Sequence, residues 1–494
     1  MGIQSQSDLA GYARRAIANY SSEPAVQFQG EWLSRAKFSE LAEQTLKQLQ
    51  AFELPVGEKV AFIARNVPEA LGAFIGILAG QFSVRMVYPF QSASAVAREI
   101  DALQPAAVIA GEADFGEELS AVLAASGIGG IALNTMQART AYPMLRQSVE
   151  AATPPVVEIL TSGTTGKSKP FRLDYDTIAT HFVGAPAPGL KTGDIPVLLY
   201  FPIGNISGLY STLPALLLGQ KIILLDRFRV QDWHAYVVKY RPTVGGMPPA
   251  AIQMVLDADI PKEDLASLRM LGAGAAPLNP EVQQKFEERY GIPILLSYGA
   301  TEFGGPVTRM TPEMYEAGGR ERIGSVGKAM PGVKLRVVDP ETFDVLPAGK
   351  EGILEVVSPR IGPHWIRTSD IAVIDEEGYL FHRGRADGAI VRGGFKILPE
   401  TIEQALLKHP AVSAVAVVGI AEARLGQVPA AAVVLKPNQQ VSVDELEQHL
   451  RQEVLATHIP VHWKIIEELP RTALSYKVDQ AAVRALFSRD QVEA

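Results

Sequence analysis

The chain has 494 residues, 46 basic against 54 acidic for a formal net charge of −8, and no cysteine. The missing thiol excludes a disulfide framework, thiolate zinc or iron–sulfur ligation and a cysteine nucleophile, and the acidic balance argues against a broad nucleic-acid or anionic-membrane surface. With 47% hydrophobic residues the chain can build a large core, in roughly two to four domains of about 150 residues each. Residues 1–11 are polar and lack the basic start and apolar run of a signal peptide. The most apolar stretch, 70–84, is shorter than the about 20 residues a membrane span needs, so a cytoplasmic protein with no membrane span and no nucleic-acid partner is expected.

From residue 7 to about 110 helical and strand patterns alternate. Ala70, Leu71, Phe74, Ile75 and Leu78 recur at helical spacing within 68–80, and 85–88 reads as a strand. Short buried strands are expected at 107–110 and 130–133. The rhythm continues through strand-like runs at 156–160, 196–201, 221–225, 270–271 and 294–296, which predicts a mostly parallel, doubly wound sheet. From 332 to about 380, runs at 333–338, 352–357 and 371–374 are separated by Gly, Pro and acidic turns with no helix between, the pattern of a small antiparallel β-subdomain. After Arg385 a compact alternation returns: helix 399–409, strands 412–420 and 430–435, helix 443–455. No internal repeat or low-complexity tract is present.

Thr161-Ser162-Gly163-Thr164-Thr165-Gly166-Lys167-Ser168-Lys169-Pro170 follows a strand-like run. Its glycines let backbone N–H groups approach an anion, its hydroxyls donate further hydrogen bonds, and its lysines add point charge suited to phosphate. It is not a Walker A loop, because Gly163 and Gly166 are too close and Thr161 occupies the required glycine position. A carboxylate such as Glu302, in Tyr298-Gly299-Ala300-Thr301-Glu302, suits Mg²⁺, which prefers oxygen ligands. Asp370, in Thr368-Ser369-Asp370, suits a pair of ribose hydroxyls because a carboxylate accepts two hydrogen bonds. The histidines show no ligand spacing: His458 and His462 are separated by the helix-breaking Pro460.

With the loop at 161–170, the chain resembles the adenylate-forming superfamily of acyl- and aryl-CoA synthetases, adenylation domains and luciferases. Lys169 matches the family lysine, while Ser168 and Pro170 depart from its proline and last glycine. The resemblance extends over nearly the whole chain and implies an α/β fold. A large N-terminal domain, 1–385, would hold doubly wound, mostly parallel sheets plus the small β-subdomain, and a small mobile α/β domain, 386–494, would follow a hinge at Asp387.

The resemblance also implies roles. Thr161, Ser162, Gly163, Thr164, Thr165, Gly166, Lys167 and Lys169 would hold the ATP phosphates. Tyr298 would stack on adenine, with Gly274, Ala275, Ala276, Gly299 and Ala300 beside the nucleotide and Thr301 near the α-phosphate. Glu302 would serve Mg²⁺, and Asp370 and Arg385 would bind the ribose, with Ser369 replacing a usual glycine. Lys477, in Leu469-Pro470-Arg471-Thr472-Ala473-Leu474-Ser475-Tyr476-Lys477, would be the adenylation lysine, despite one extra residue before it and Tyr476 in place of glycine. Gly393 and Gly394 would border the thiol tunnel; Val391 stands for a common lysine and Thr401 for a common glutamate. Asn205, at the place of a common histidine, would line the acid pocket with Gly208, Gly272, Gly299 and Gly304, small residues that leave room for an aromatic or short-to-medium acid.

The activity implied is ATP-dependent activation of a small carboxylic acid to an acyl-AMP, then transfer to a thiol, with ATP, Mg²⁺ and CoA as cofactors. A stand-alone adenylation enzyme loading the phosphopantetheine of an acyl carrier protein, with no carrier domain fused, is the alternative. A non-catalytic nucleotide-binding regulator of the same fold is the second alternative. A monomer or homodimer is expected.

Overall fold

The computed structural model describes residues 8–89, 91–146, 153–161, 169–184, 195–274, 276–392, 395–422, 425–454, 456–472 and 477–488. The chain divides into two compact units: 1–275 with 286–293 and 299–306, and 276–285 with 294–298 and 307–494. Among the described residues no helix is long and apolar enough to cross a membrane.

The first unit is organised by the helix Pro68–Ala79, whose residues are buried all round except Glu69. Such a helix needs cover on every side. It crosses between the parallel strands Lys59–Ile63 and Ser83–Val87, which pair residue for residue. Pro68 sits at the first helical position, where its missing N–H costs nothing. Gly76 lets the helix Arg35–Ala51 approach, since a Cβ there would overlap the Ala42 carbonyl.

These strands belong to a seven-stranded sheet in the order Gln137–Tyr142, Gly129–Asn134, Ala107–Gly111, Lys59–Ile63, Ser83–Val87, Val156–Thr161, Lys169–Asp174. The inner pairings are parallel and the two outer ones antiparallel, so the expected mostly parallel sheet is present with an antiparallel strand at each edge. A second, four-stranded sheet runs Val197–Leu199, Ile222–Leu224, Pro24–Phe28, Glu31–Ser34. Its first two strands are shorter than the apolar runs 196–201 and 221–225 suggest.

Glu158, on the strand leading to the 161–170 loop, is 1% exposed and takes cations from three other strands. Arg85 reaches it at 2.9 Å, Arg172 at 2.8 Å and Lys59 at 3.4 Å. Burial pushes its carboxyl up, but the hydrogen bonds and charges of Arg85, Lys59 and Arg172 prevail and hold it below the usual carboxylate range.

In the second unit the antiparallel β-subdomain is a four-stranded sheet in chain order: Lys334–Val338, Glu351–Val357, Ile366–Ile374, Leu380–Arg385. The fourth strand escapes a hydropathy reading because its end, His382-Arg383-Gly384-Arg385, is polar. A second buried glutamate, Glu355, repeats the device on its central strand, held by Arg336 at 2.6 Å and Arg367 at 2.7 Å from the two flanking strands.

Beyond Arg385 the long strands Val412–Glu422 and Gly426–Leu435 pair antiparallel, and His462–Ile465 runs parallel to the latter. Both faces are covered. Val415, Val417, Ala431 and Val433 pack with the helices Pro399–Leu407 and Val443–Glu453 through Ile402, Leu406, Leu446 and Leu450. Ala416, Val418, Ala430 and Ala432 meet Leu469, Val483 and Phe487 on the other side. Ser442 and Glu445 form a capping box at the second helix.

Removing the charge of Glu158 leaves Arg85, a largely buried cation, without its counter-charge. Glu158→Gln is expected to lower the unfolding free energy by about 3 kcal/mol, read from urea denaturation, with the loss centred on the first unit by hydrogen exchange.

Candidate functional site

The strand Ile366–Ile374 pairs with Leu380–Arg385 so that Asp370 stands opposite Arg385. Asp370 is 8% exposed, and both its oxygens carry donors. The Tyr298 hydroxyl donates to Oδ2 in a short hydrogen bond. The His382 Nε2–H donates to Oδ1 at 3.2 Å, and the Arg385 guanidinium lies 3.7 Å from the same oxygen. Arg385 also donates to the Ser369 hydroxyl at 2.5 Å, so the serine that departs from the family glycine fixes the arginine. Thr368 ties this part of the strand, accepting from the Asp370 N–H at 2.9 Å and donating to the Leu354 carbonyl at 2.8 Å. Burial raises the Asp370 carboxyl, but His382, Tyr298 and Arg385 together keep it below its ordinary range and therefore ionised.

Three expected nucleotide residues, Tyr298, Asp370 and Arg385, thus converge in the second unit. His382 joins them, its ring 5.8 Å from that of Tyr298, and sequence reasoning missed it. The available signal was its place on the same strand three residues before Arg385. Ala276 also belongs to the second unit.

In the first unit, Gly299 lies against 305–306, where a Cβ would overlap the Gly305 carbonyl and the Pro306 Cα. Thr301–Phe303 forms a 3-10 turn closed by Gly304 in the left-handed conformation. The turn leaves Glu302 exposed and buries Phe303, with Ala300 and Thr301 half-exposed. Gly272 pairs with Gly246 in parallel register, and the Tyr200 hydroxyl stands 3.6 Å from where a Gly246 Cβ would be. Gly274 follows that strand, half-exposed.

Tyr200 is buried, which raises its hydroxyl well above the usual phenol range, and it packs against Phe201 and Phe228. Its backbone and that of the next residues are tied by the buried Asn66. The Asn66 amide donates to the Phe201 carbonyl at 3.0 Å, and its oxygen accepts from the Ile203 N–H at 3.1 Å. Asn66 was also missed, because its partners lie more than 130 residues away.

Asn205 caps the helix Ile206–Leu217: its Oδ1 accepts from the Gly208 N–H at 2.7 Å. Gly208 is required by the same turn, since a Cβ would overlap the Pro202 carbonyl. Both residues therefore have structural work in shaping the segment 202–208.

Lys477 is exposed and follows the arm of a turn in which Arg471 bridges Val478, with the Thr472 N–H donating to the Lys477 carbonyl at 2.7 Å. The extra residue and Tyr476 fall in 473–476, outside the described residues. So do Ser162, Gly163, Thr164, Thr165, Gly166, Lys167, Ala275, Gly393 and Gly394, as do the side chains of Thr161, Lys169 and Asp387. Among the described residues no group of three or more acidic or histidine side chains is placed to hold a metal.

Residues 13–364 match the model of the AMP-binding enzymes and residues 401–475 that of the AMP-binding enzyme C-terminal domain. The chain belongs to the AMP-binding enzyme family. This adenylate-forming enzyme is 28% identical to the indoleacetate–CoA ligase of Aromatoleum aromaticum over 98% of each chain. It is 30% identical to the 2-succinylbenzoate–CoA ligase of Bacillus pumilus over 63% of this chain and 65% of that one. Its fold matches ATP-bound MatB from Rhodopseudomonas palustris with a TM-score of 0.82 at 23% identity, covering 97% of this chain and 99% of that one. The o-succinylbenzoate CoA synthetase of Bacillus subtilis bound to its acyl-adenylate matches at 0.78 and 20%, covering 96% and 97%.

If Asn205 acts as a helix cap, Asn205→Asp should retain wild-type stability, whereas Asn205→Ala should lose about 1 kcal/mol in urea denaturation. Equal losses in both variants would point instead to a role for the amide nitrogen.

Proposed function

We propose that this enzyme joins a small carboxylic acid to CoA through an acyl-adenylate. The ionised, buried Asp370 between Tyr298, His382 and Arg385 carries the reading, because a buried carboxylate with two acceptor oxygens suits a ribose diol. The full-length likeness to a CoA ligase supports CoA as acceptor. We take the acid to be aromatic or of short to medium length, since Gly246, paired with Gly272, puts no side chain into the space beside Tyr200. We take the enzyme to act in the cytoplasm, where ATP and CoA are available.

In the first step a carboxylate oxygen of the acid attacks the α-phosphorus of ATP, a P–O bond forms, and pyrophosphate leaves with the broken bond's electrons. Lys477 donates to the oxygens on which negative charge gathers, a preorganised contact worth about 3 kcal/mol. Thr161, Ser162, Gly163, Thr164, Thr165, Gly166, Lys167 and Lys169 hold the departing phosphates, and Thr301 lies near the α-phosphate. Glu302 is accessible on its 3-10 turn and fits Mg²⁺, which takes one or two carboxylates together with substrate phosphates. Bound there, the ion would neutralise phosphate charge.

In the second step the thiol attacks the acyl carbon, AMP leaves and the thioester forms. The segment 386–494 turns about Asp387 between the steps, bringing Gly393 and Gly394 to the thiol path and withdrawing Lys477.

Pyrophosphate release on a panel of aryl and short-to-medium acids, with and without CoA, tests the whole reading. ATP-dependent, AMP-releasing thioester formation with CoA is expected. Transfer only to a carrier-protein pantetheine would replace CoA as acceptor, and no pyrophosphate with any acid would replace the enzyme by a nucleotide-binding regulator. Lys477→Ala should slow pyrophosphate release at least about 100-fold and spare thiolysis of supplied acyl-adenylate. Asp387→Pro should do the reverse, as read from the same two half-reactions.

A further inference from the structure

The helix Pro399–Leu407 opens the segment beyond the hinge, and its first turn carries Glu400. The Glu400 carboxylate points back across the hinge: it accepts a hydrogen bond from the Arg385 backbone N–H. It also lies flat against Gly384, where a Cβ would come within 2.7 Å of Oε2. Gly384 is buried with φ at +129°, so only glycine combines this backbone with so close a carboxylate. Oε2 is buried and has no hydrogen-bond partner among the described residues. The bond thus joins two chain segments separated by the 3-10 turn Ala386–Gly388 that contains Asp387.

Resting on the nucleotide-site reading above, we propose that Glu400 is a positioning residue for the ribose clamp. It fixes the Gly384–Arg385 backbone so that Arg385 reaches Asp370 during adenylation, and its contact breaks when the small domain turns for thioester formation. A carboxylate that must be released in one of two conformations needs to be costly to bury, and this one is. Burial is the largest influence on it and raises its carboxyl above the usual carboxylate range, against the opposing effects of its own helix N–H, His382 and Arg385.

The groups acting on Glu400 are His382 and Arg385 from the strand Leu380–Arg385, and on its own helix Glu400 in turn raises Glu403. Glu403 is itself raised to about 8 by burial, its Oε1 bonded to the Val417 N–H at 2.8 Å from the packed strand. The helix Val443–Glu453 meets the far end of the same helix through His449 on the Ala405 carbonyl. A raised carboxyl favours the latched state while protonated, so this contribution to the latch is fully present below the group's ordinary pKa and fades as pH rises through the raised value.

The test is ATP binding to the full chain by calorimetry, with the two half-reactions assayed separately. Glu400→Ala should weaken ATP binding and adenylation by about tenfold without slowing thiolysis of supplied acyl-adenylate. Glu400→Gln, whose amide oxygen still accepts from Arg385, should bind ATP about as well as wild type, with a flatter dependence of affinity on pH. Unchanged ATP binding in Glu400→Ala, or equal slowing of both half-reactions, would overturn the proposal. So would a Glu400→Gln pH profile identical to wild type, a readout that stands even where the alanine variant does not fold. Asp370→Asn run alongside separates the two levels: if it loses ATP affinity while Glu400→Ala does not, the latch fails and the site reading stands; if it binds ATP normally, the site reading fails and the latch with it.

Discussion

A glutamate buried inside a sheet must find its counter-charges on the neighbouring strands, and this requirement sets the registers on which the candidate site is carried. Glu158 draws Lys59, Arg85 and Arg172 to one point, and its strand ends at Thr161, the first residue of the Gly/Ser/Thr-rich sequence 161–170. Glu355 does the same with Arg336 and Arg367, and Arg367 stands on the strand that carries Asp370 three residues later. A slip of one residue on either strand turns the cation to the opposite face and leaves a buried carboxylate alone. The cost of an unpaired buried charge, several kcal/mol, is a stronger constraint on register than the apolar contacts around it. Leu, Val and Ile can exchange places across a core far more cheaply.

Asp370 obeys the same rule for a different end. Its charge is also matched by burial partners, but two of them, the Tyr298 and His382 rings, are themselves half-exposed and lie side by side. If Asp370 takes the ribose diol as proposed, the diol would replace donors already paired with the carboxylate, so that binding would exchange hydrogen bonds and not strip a solvated charge. The rigid partners Glu158 and Glu355 have no such freedom, because their cations come from strands fixed by ladder hydrogen bonds.

What could be read in the sequence follows from how far apart the interacting residues are. The helix Pro68–Ala79 and the apolar strands declare themselves, because their burial is encoded in successive residues. The motifs around Tyr298, Asp370 and Arg385 are readable because each is contiguous. His382 is silent, since its strand is polar and its partner lies across a register shift between Ile371 and Ala372. Asn66 and Glu400 are silent for the same reason at longer range: a buried polar side chain is specified by the backbone groups it satisfies, and those are set by tertiary structure. Asn205 carries a second, local signal besides its place in a motif: a side-chain oxygen three residues before a helix N–H describes a cap, and the structure shows that cap.

The absence of cysteine gains meaning from the placement of these groups. An enzyme with its own nucleophile can hold one geometry while the acyl group waits on the protein. Here an acyl-adenylate must wait on the nucleotide until an external thiol arrives, so the parts that grip AMP and the parts that move must share a border. On the proposed reading they do: Arg385, the proposed ribose contact, ends the strand Leu380–Arg385, the 3-10 turn Ala386–Gly388 follows at once, and Glu400 reaches back from the first helix beyond it. On that proposal only the three residues of the turn separate the nucleotide contact from the segment that turns. A rotation about Asp387, as proposed, would be felt at Arg385 and would couple the exchange of Lys477 for thiol to the hold on the ribose.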